Sequence, residues 1–211
     1  MSSVVKMDGM EMLLTRRSVK KLKQISIGKD VVKRILYAAT MAPSAHNAQP
    51  WRFIVVDDQL VKTKLAKGMA SLLMRDLIKD GYSGDEAKRE AEESISRIEA
   101  ASLIIVACVT MEGMHTYPDR RRRRFEYIMA IQSVSAAIQN LLLAAHYEGL
   151  GACWRCAPLF AQNVVRRILH IPKGVDPIAL IEIGQPATEV STPPRKPLEE
   201  VAYHNIWGEK L

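Results

Sequence analysis

The segment 103–109 restricts the fold of this chain more than any other, because it is continuously apolar and rich in β-branched residues. A strand with one face in solvent alternates polar and apolar side chains, whereas this segment has no polar position. We therefore expect a strand that is buried on both faces. Two further apolar runs, 53–56 and 177–184, predict two more strands.

Apolar residues at helical spacing predict the helices that accompany these strands. A first helix follows Asp8, and a second begins at Asp30 and runs to Thr40. Residues 57–100 contain two helices, which we interpret as a helical excursion within one domain. The apolar segment 125–147 is lined with small residues, which predicts a helix at the centre of the molecule or in a subunit interface.

The composition is that of an ordinary globular protein, with 211 residues, 48% hydrophobic residues and a net charge of +7. A single domain over residues 1–211 is the simplest expectation. We find no apolar run of about 18–20 residues, the length that crosses a bilayer, so no membrane partner is expected. The first eight residues lack the apolar core of a signal peptide, and the three cysteines are odd in number. Both features favour a reduced, cytoplasmic setting.

Residues 42–53 form a loop that is unusually rich in polar side chains for a simple connection. Pro43 ends the preceding helix, and Pro50 stands just before a predicted strand. Ser44, His46 and Asn47 lie between the two prolines. A rigid polar loop anchored in apolar elements is typical of a small-molecule site.

Two groups of basic residues are candidate anion sites. In an extended segment, Arg16, Ser18 and Lys20 point to the same side, which suits a phosphate, although a solvated basic patch at a helix end is the alternative. The second group is a run of five arginines. It consists of Arg120, Arg121, Arg122, Arg123 and Arg124.

The arginine run has three interpretations. It can be a solvated helix start, although cations oppose the helix dipole there, so that some of the arginines would pair with nearby acidic side chains. It can receive an anionic substrate or the phosphate of NADPH, chiefly through Arg121 and Arg122. It can also bind nucleic acid, but no aromatic platform or recognition helix accompanies it, which argues against that partner.

Cys153 and Cys156 form a C-x-x-C pair, which can be a redox dithiol or half of a zinc site. No second such pair or paired histidines accompany it, and Pro158 places the next helix too late for a redox dithiol. We therefore expect no metal and no disulfide chemistry. The chain also lacks the glycine patterns of a P-loop or a Rossmann site.

Five segments in order along nearly the whole chain resemble the motifs of the nitroreductase-like flavoproteins. They are 16–20, 42–53, 149–154, 171–174 with 183–186, and 195–198. The resemblance implies an α+β fold, an α/β/α sandwich around a mostly antiparallel sheet. It also implies an intertwined homodimer with FMN at the interface, in which an extended C-terminal arm, residues 185–211, lies on the partner subunit.

The resemblance further assigns roles to residues of this chain. Arg16, Arg17, Ser18 and Arg195 would hold the FMN phosphate, and Lys20 would lie at the pyrimidine edge of the flavin. Contacts to the ring and ribityl chain would come from Pro43, Ser44 and Asn47, and from Trp154, Arg155 and Cys156, largely through backbone atoms. His46 and His115 are further candidates for contacts with substrate.

The implied function is that of an FMN-dependent oxidoreductase that passes two electrons from NADH or NADPH to a small organic acceptor. No side chain is assigned as a catalytic acid or base, because the flavin carries the chemistry. Residues 115–121 are also similar to the reductase domain of a deazaflavin-coenzyme ligase, which makes a deazaflavin-coenzyme precursor a candidate acceptor. The rival hypothesis is a non-catalytic flavin- or anion-binding module, associated with nucleic acid through the arginine run.

Overall fold

The structure, a computed structural model, describes residues 8–211. The expectation about a signal peptide therefore falls mostly on residues outside this range. The helices of eight or more residues are α2 (Lys29–Thr40), α3 (Gln59–Lys79), α4 (Gly84–Ala100), α5 (Arg120–Tyr147) and α7 (Gln162–Leu169). Shorter helices are α1 (Gly9–Thr15) and α6 (Ala157–Phe160). The strands are β1 (Leu22–Lys23), β2 (Trp51–Val56), β3 (Leu103–Thr110), β4 (Gly151–Arg155) and β5 (Val175–Pro186).

The five strands form one sheet in which every pairing between strands is antiparallel. β3 lies between β2 and β5, and β5 also pairs with β4 and, at its end, with β1. All eight residues of β3 are buried, as the sequence predicts. The antiparallel α+β fold is thereby confirmed.

Alternate residues of β3 enter two separate cores, which makes the molecule a three-layer sandwich. Leu103, Ile105 and Ala107 pack with α2 and α5 on one face. Ile104 and Val106 pack with α3, α4 and α7 on the other. The segment that we interpreted as a helical excursion therefore supplies part of the second outer layer. Whether the chain acts as a single domain in its assembly stays a prediction.

Helix α5 is the long apolar helix predicted from the sequence, and it lies against the sheet. By length and composition alone it is also apolar enough to cross a bilayer, so the expectation that no segment qualifies was wrong. Nine of its residues are buried, and they pack against β3, β4 and α2, as in the core helix of a globular fold. Gly149 follows the C-cap of α5 and has a φ of 75°, a left-handed conformation that glycine adopts without strain.

The helix predicted to begin at Asp30 begins one residue earlier, after Gly28, so Asp30 lies within its first turn. β1 and β4 were not predicted as strands. β4 begins with glycine and alanine, so its apolar signal is weak, and it is fixed by pairing with β5. A strand of two residues such as β1 leaves no pattern at all.

The segment after β5 is extended and largely exposed, with one 3₁₀ turn at Leu198–Glu200. Its apolar side chains have little of this chain to pack against. Those with the largest exposure are Trp207 (87%), Leu211 (73%) and Ile206 (70%). This agrees with an arm that lies on another subunit, which stays a prediction.

Candidate functional site

A cluster of cations gathers where the chain leaves α1. Arg17, Ser18 and Lys20 line a cleft of about 410 Å³ together with Arg195 from the C-terminal segment. Arg16 lines an adjoining cavity of about 310 Å³ with His146. Within residues 8–211, none of these arginines forms an ion pair, and Glu189 is the only acidic residue lining the larger cleft. These residues therefore lie close together in the chain's fold, and their role as one binding site stays a prediction.

Burial and electrostatic repulsion both lower the pKa of groups in and beside this cluster. The pKa of Arg16 is lowered by burial and then by the charges of Arg17 and Arg195. The pKa of His146 is lowered by burial and then by Arg16 and Arg17. A bound anion would relieve this repulsion, because it supplies the opposite charge. His146 was not predicted from the sequence, since a histidine in the last turn of a helix is ordinary.

The cationic segment is held beside β4 by direct backbone contact. Ser18 forms a parallel bridge with Ala152, and the Val19 amide donates to the Ala152 carbonyl at 2.9 Å. A Cβ atom at Gly151 would lie 2.9 Å from side-chain carbons of Val19 and Leu22, so the approach requires glycine. The segment 16–20 is therefore held next to the part of β4 that continues to Trp154 and Arg155.

Trp154 and Arg155, at the end of β4, both carry a buried nitrogen without a hydrogen-bond partner in the described chain. These atoms are the indole Nε1 of Trp154 and Nη2 of Arg155. The Nε of Arg155 donates to Glu182 at 3.3 Å, and Glu182 is 2% exposed. Glu182 thus engages the Nε of Arg155, while the Arg155 side chain remains 27% exposed. Sequence reasoning missed Glu182, although a lone acidic residue inside an apolar strand is a usable signal.

Cys153 and Cys156 lie in different environments. Cys153 is buried in β4, where burial chiefly raises the pKa of its thiol. Cys156 is exposed at the start of the four-residue helix α6. All three cysteines are free, as far as residues 8–211 are concerned.

The polar loop between α2 and β2 packs on the first half of α5. The amide of Ala45 donates to the hydroxyl of Ser133 at 3.1 Å, and the amide of Gln49 donates to Ser44 at 3.1 Å. His46, Asn47 and Gln49 all have positive φ angles near 50°. Such conformations cost free energy in residues other than glycine and concentrate at functional sites. Hydrogen bonds at both Ala45 and Gln49 fix the loop, which presents Pro43 and Asn47 to solvent; its rigidity stays a prediction.

His46 and His115, which the sequence offered as separate candidates, are stacked with their ring centroids 3.8 Å apart. Beneath them lies Glu126, which is 3% exposed. Its Oε2 is 3.4 Å from Nε2 of His46 and accepts from the backbone amide of His115 at 3.2 Å. Sequence reasoning missed Glu126, although a lone acidic residue opening an apolar helix is a usable signal.

The five arginines form the first turns of α5 and have different environments. Asp119 caps the helix, accepting from the amide of Arg122 at 2.8 Å and pairing with its guanidinium. These contacts lower the pKa of Asp119, the backbone contact most. Arg122 also lies over Tyr117, at 4.4 Å. The predicted pairing with an acidic side chain is thus confirmed for Arg122, while Arg121 lines an open pocket with Arg120, Arg124 and Phe125.

Two groups of candidate residues lie beside different parts of α5, one beside its first half and one beside its last turn. Arg16 and Arg17 of the cationic cluster line a cavity with His146 in the last turn, whereas the polar loop contacts Ser133 and Glu126. Thirteen residues of helix separate Ser133 from His146, which corresponds to about 20 Å at 1.5 Å per residue. One chain does not bring the two groups together.

The architecture and motif order described above match a known family over most of the chain. The Nitroreductase family pattern matches residues 13–185. The chain belongs to the nitroreductase family. It is therefore an oxidoreductase with the fold of that family.

Two archaeal relatives cover most of this nitroreductase-family chain. Proteins of Archaeoglobus fulgidus and Methanothermobacter thermautotrophicus are each 29% identical to it, over 182 and 191 residues. The matches cover 85% and 90% of this chain, and 86% and 83% of the relatives. Both relatives carry the provisional name NADH dehydrogenase/NAD(P)H nitroreductase.

Solved structures show the same fold. A protein of Parabacteroides distasonis with the same provisional name is 25% identical, with a TM-score of 0.69, and the match covers 94% of this chain and 98% of that one. A BluB-like flavoprotein of Clostridium difficile is 22% identical, with a TM-score of 0.77 and coverage of 94% and 99%. At 22% identity the latter likeness concerns the fold alone.

Proposed function

We propose that this nitroreductase-family oxidoreductase binds FMN and uses NADH or NADPH to reduce a small organic acceptor. The observation that carries the proposal is the group of arginines 16, 17 and 195, which has no ion-pair partner in the described chain. Buried or clustered cations without counter-charges are costly, and a phosphate supplies two negative charges and several acceptors. The names of the two archaeal relatives, which mention NADH and NAD(P)H, support the same conclusion.

The residues present fit FMN at its phosphate end and beside its ring. Arg16, Arg17 and Arg195 would bind the phosphate, with the exposed hydroxyl of Ser18 as a further donor. Lys20 would place a positive charge near the pyrimidine edge. The indole nitrogen of Trp154, on β4 beside segment 16–20, is a buried donor without a partner in the described chain. A polar group of a bound cofactor would supply the acceptor that such a donor needs.

Bound FMN would supply the redox chemistry, accepting a hydride equivalent from the nicotinamide and passing two electrons to the acceptor. The protein's share is to bind, orient and shield the reacting groups. NAD(P)H and the acceptor would use the same face in turn, which predicts ping-pong kinetics. A deazaflavin-coenzyme precursor stays one candidate for the acceptor.

A homodimer would complete this site. In one chain Asn47 and Arg16 belong to groups about 20 Å apart along α5. A twofold axis across the α5 helices would bring the polar loop of one protomer to the phosphate end of its partner. Exposed apolar side chains favour such an interface, since a monomer rarely leaves them uncovered. They include Leu13 and Leu14 of α1, Tyr37 of α2, Met41 just after α2, and Phe125 and Ile128 of α5.

The proposal is tested by flavin binding to the purified protein. We expect a yellow protein, or one that takes up added FMN, whose flavin absorption is bleached by NAD(P)H. Arg16→Ser should weaken FMN binding about tenfold or more, the loss of a charge-assisted contact, whereas Arg167→Ser on α7 should not. A colourless protein that takes up no FMN would reject the proposal and favour the non-catalytic anion-binding hypothesis.

A further inference from the structure

The stacked pair His46–His115 and the carboxylate of Glu126 form a cluster that the flavin chemistry does not use. One atom of each residue, the two imidazole nitrogens and a carboxylate oxygen, lies within 4.8 Å of the others. The three residues come from three different segments: the polar loop, the loop after β3, and α5. Their convergence is therefore produced by the tertiary fold and not by local sequence.

Glu126 lacks a strong counter-charge, although it is almost fully buried. A buried carboxylate costs several kcal/mol unless a cation or several donors compensate it. In the described part of the chain, its only ion-pair partner is His46, at 3.4 Å, and the backbone amide of His115 donates a hydrogen bond to it at 3.2 Å. None of the nearby arginines pairs with it. A cation bound between the three side chains would supply the missing charge.

The backbone holds the cluster in place. His46 has a φ of 56°, and its neighbour Ala45 is fixed to Ser133 by a hydrogen bond. The loop that carries His115 lies against the first loop at Gly113, where a Cβ atom would be 3.3 Å from the carbonyl of Ala48. Both histidines are thus presented by segments that are anchored before any ligand binds, which lowers the cost of binding.

The distances and donor types select a class of ligand. Two imidazole nitrogens and one carboxylate suit first-row transition metals, above all zinc, which binds them at about 2.0–2.2 Å. In a tetrahedral site with such bonds, neighbouring ligand atoms lie about 3.3 Å apart. The separation between His46 Nε2 and Glu126 Oε2 is 3.4 Å, so these two need almost no adjustment.

We propose that His46, His115 and Glu126 form a binding site for a divalent transition-metal ion, with a fourth position open to solvent. Because the rings are now stacked face to face, the exposed ring of His115 must turn so that its nitrogen points at the metal. Three protein ligands and an open position are the arrangement that lets zinc hold a water or a substrate oxygen. The site does not depend on the flavin proposal and revises our expectation that the chain binds no metal.

The test uses the full chain, free of any polyhistidine tag, dialysed against zinc and then against metal-free buffer. Bound metal is counted by elemental analysis, and affinity is measured by calorimetric titration with ZnCl₂. We expect one zinc ion per protomer. Glu126→Gln should weaken zinc binding by at least about tenfold. Because this change removes a buried charge and keeps the shape, the variant should remain folded.

A matched pair of variants separates ligation from a general effect of losing a histidine. His46 and His170 have φ angles of 56° and 53°, a conformation that asparagine also tolerates. We expect His46→Asn to lose zinc binding and His170→Asn to keep it. Wild-type protein that retains no zinc, or equal retention by the two variants, overturns the proposal. FMN uptake measured in the same samples reports on the flavin proposal separately.

Discussion

The imidazole Nε2 of His146 lies 2.8 Å from the hydroxyl oxygen of Thr15, at the point where α1 meets the last turn of α5. This contact places a titratable group beside the cationic cluster of Arg16 and Arg17. Burial chiefly, and then the two arginines, lower its pKa below the ordinary 6.5. The pKa of His146 should therefore change with the charge at the proposed phosphate site.

We predict that inorganic phosphate or FMN raises the pKa of His146 towards its ordinary value, because a bound anion cancels the field of the arginines. By linkage, anion binding should strengthen as the pH falls and His146 becomes protonated. Proton NMR of the histidine ring during a pH titration measures both effects, with the signal of the distant His170 as control. A His146 pKa that phosphate leaves unchanged would contradict the assignment of the site.

The buried pair Arg155–Glu182 should make stability depend on pH in a defined direction. Burial is the main cause that raises the pKa of Glu182 above 4.5, so the folded state holds this proton more tightly than the unfolded state. The contribution of Glu182 to the free energy of unfolding is therefore largest below pH 4.5, and it is lost as the pH rises through the folded-state pKa. Removing Arg155 raises that pKa further and extends the loss to higher pH.

Arg155→Met should accordingly destabilise the protein by about 3 kcal/mol at neutral pH and by less at acidic pH. The double variant Arg155→Met/Glu182→Gln should recover much of the loss, since it leaves no buried charge. Urea unfolding at several pH values gives the comparison. A loss that is the same at every pH would show that packing, and not charge, is responsible.

Trp207 is predicted to be an anchor of the dimer. Its side chain is 87% exposed in the single chain, within an arm of exposed apolar residues. Burial of an aromatic anchor in an interface contributes about 2 kcal/mol or more, so Trp207→Ser should weaken dimerisation at least about tenfold. Sedimentation equilibrium measures the dissociation constant, with Tyr82→Ser, a change of another exposed aromatic residue, as control. If the wild type, Trp207→Ser and Tyr82→Ser dimerised equally well, Trp207 would not be an anchor of the interface.

Arg121 and Arg122 were predicted together as contacts for an anionic acceptor, but they lie in different environments in the structure. Arg122 is engaged by Asp119, whereas Arg121 faces an open pocket. We expect Arg121→Ser to raise KM for an anionic acceptor about three- to tenfold, as the loss of one partly screened charge, and to leave a neutral acceptor unaffected. Arg123→Ser is the control, because Arg123 does not line the pocket. Steady-state kinetics with both acceptors decides the point.

The sequence predicted the parts of this protein whose signals are local. The continuous apolar run of β3, the proline-bounded loop at 42–53 and the long apolar helix were all recognisable, because burial and backbone restriction leave patterns in neighbouring residues. β4 was not, since its place is fixed by pairing with β5. The cluster of His46, His115 and Glu126 was not predicted either, because residues 69 and 80 positions apart meet only through the tertiary fold. Roles within the proposed flavin site came from family resemblance, not from the residues alone.

The separation of the two candidate groups along α5 has a genetic consequence. If each flavin site takes Arg16 from one protomer and Asn47 from the other, a chain with Arg16→Ser and a chain with Asn47→Ala are each defective in both sites of their own homodimer. A mixed dimer of these two chains contains one site with both defects and one site with neither. Two defective alleles would therefore complement each other by restoring one of the two flavin sites in each mixed dimer, which is about a quarter of all sites when the chains pair at random. By contrast, when one chain carries both changes, each site of its mixed dimer with wild type has a single defect.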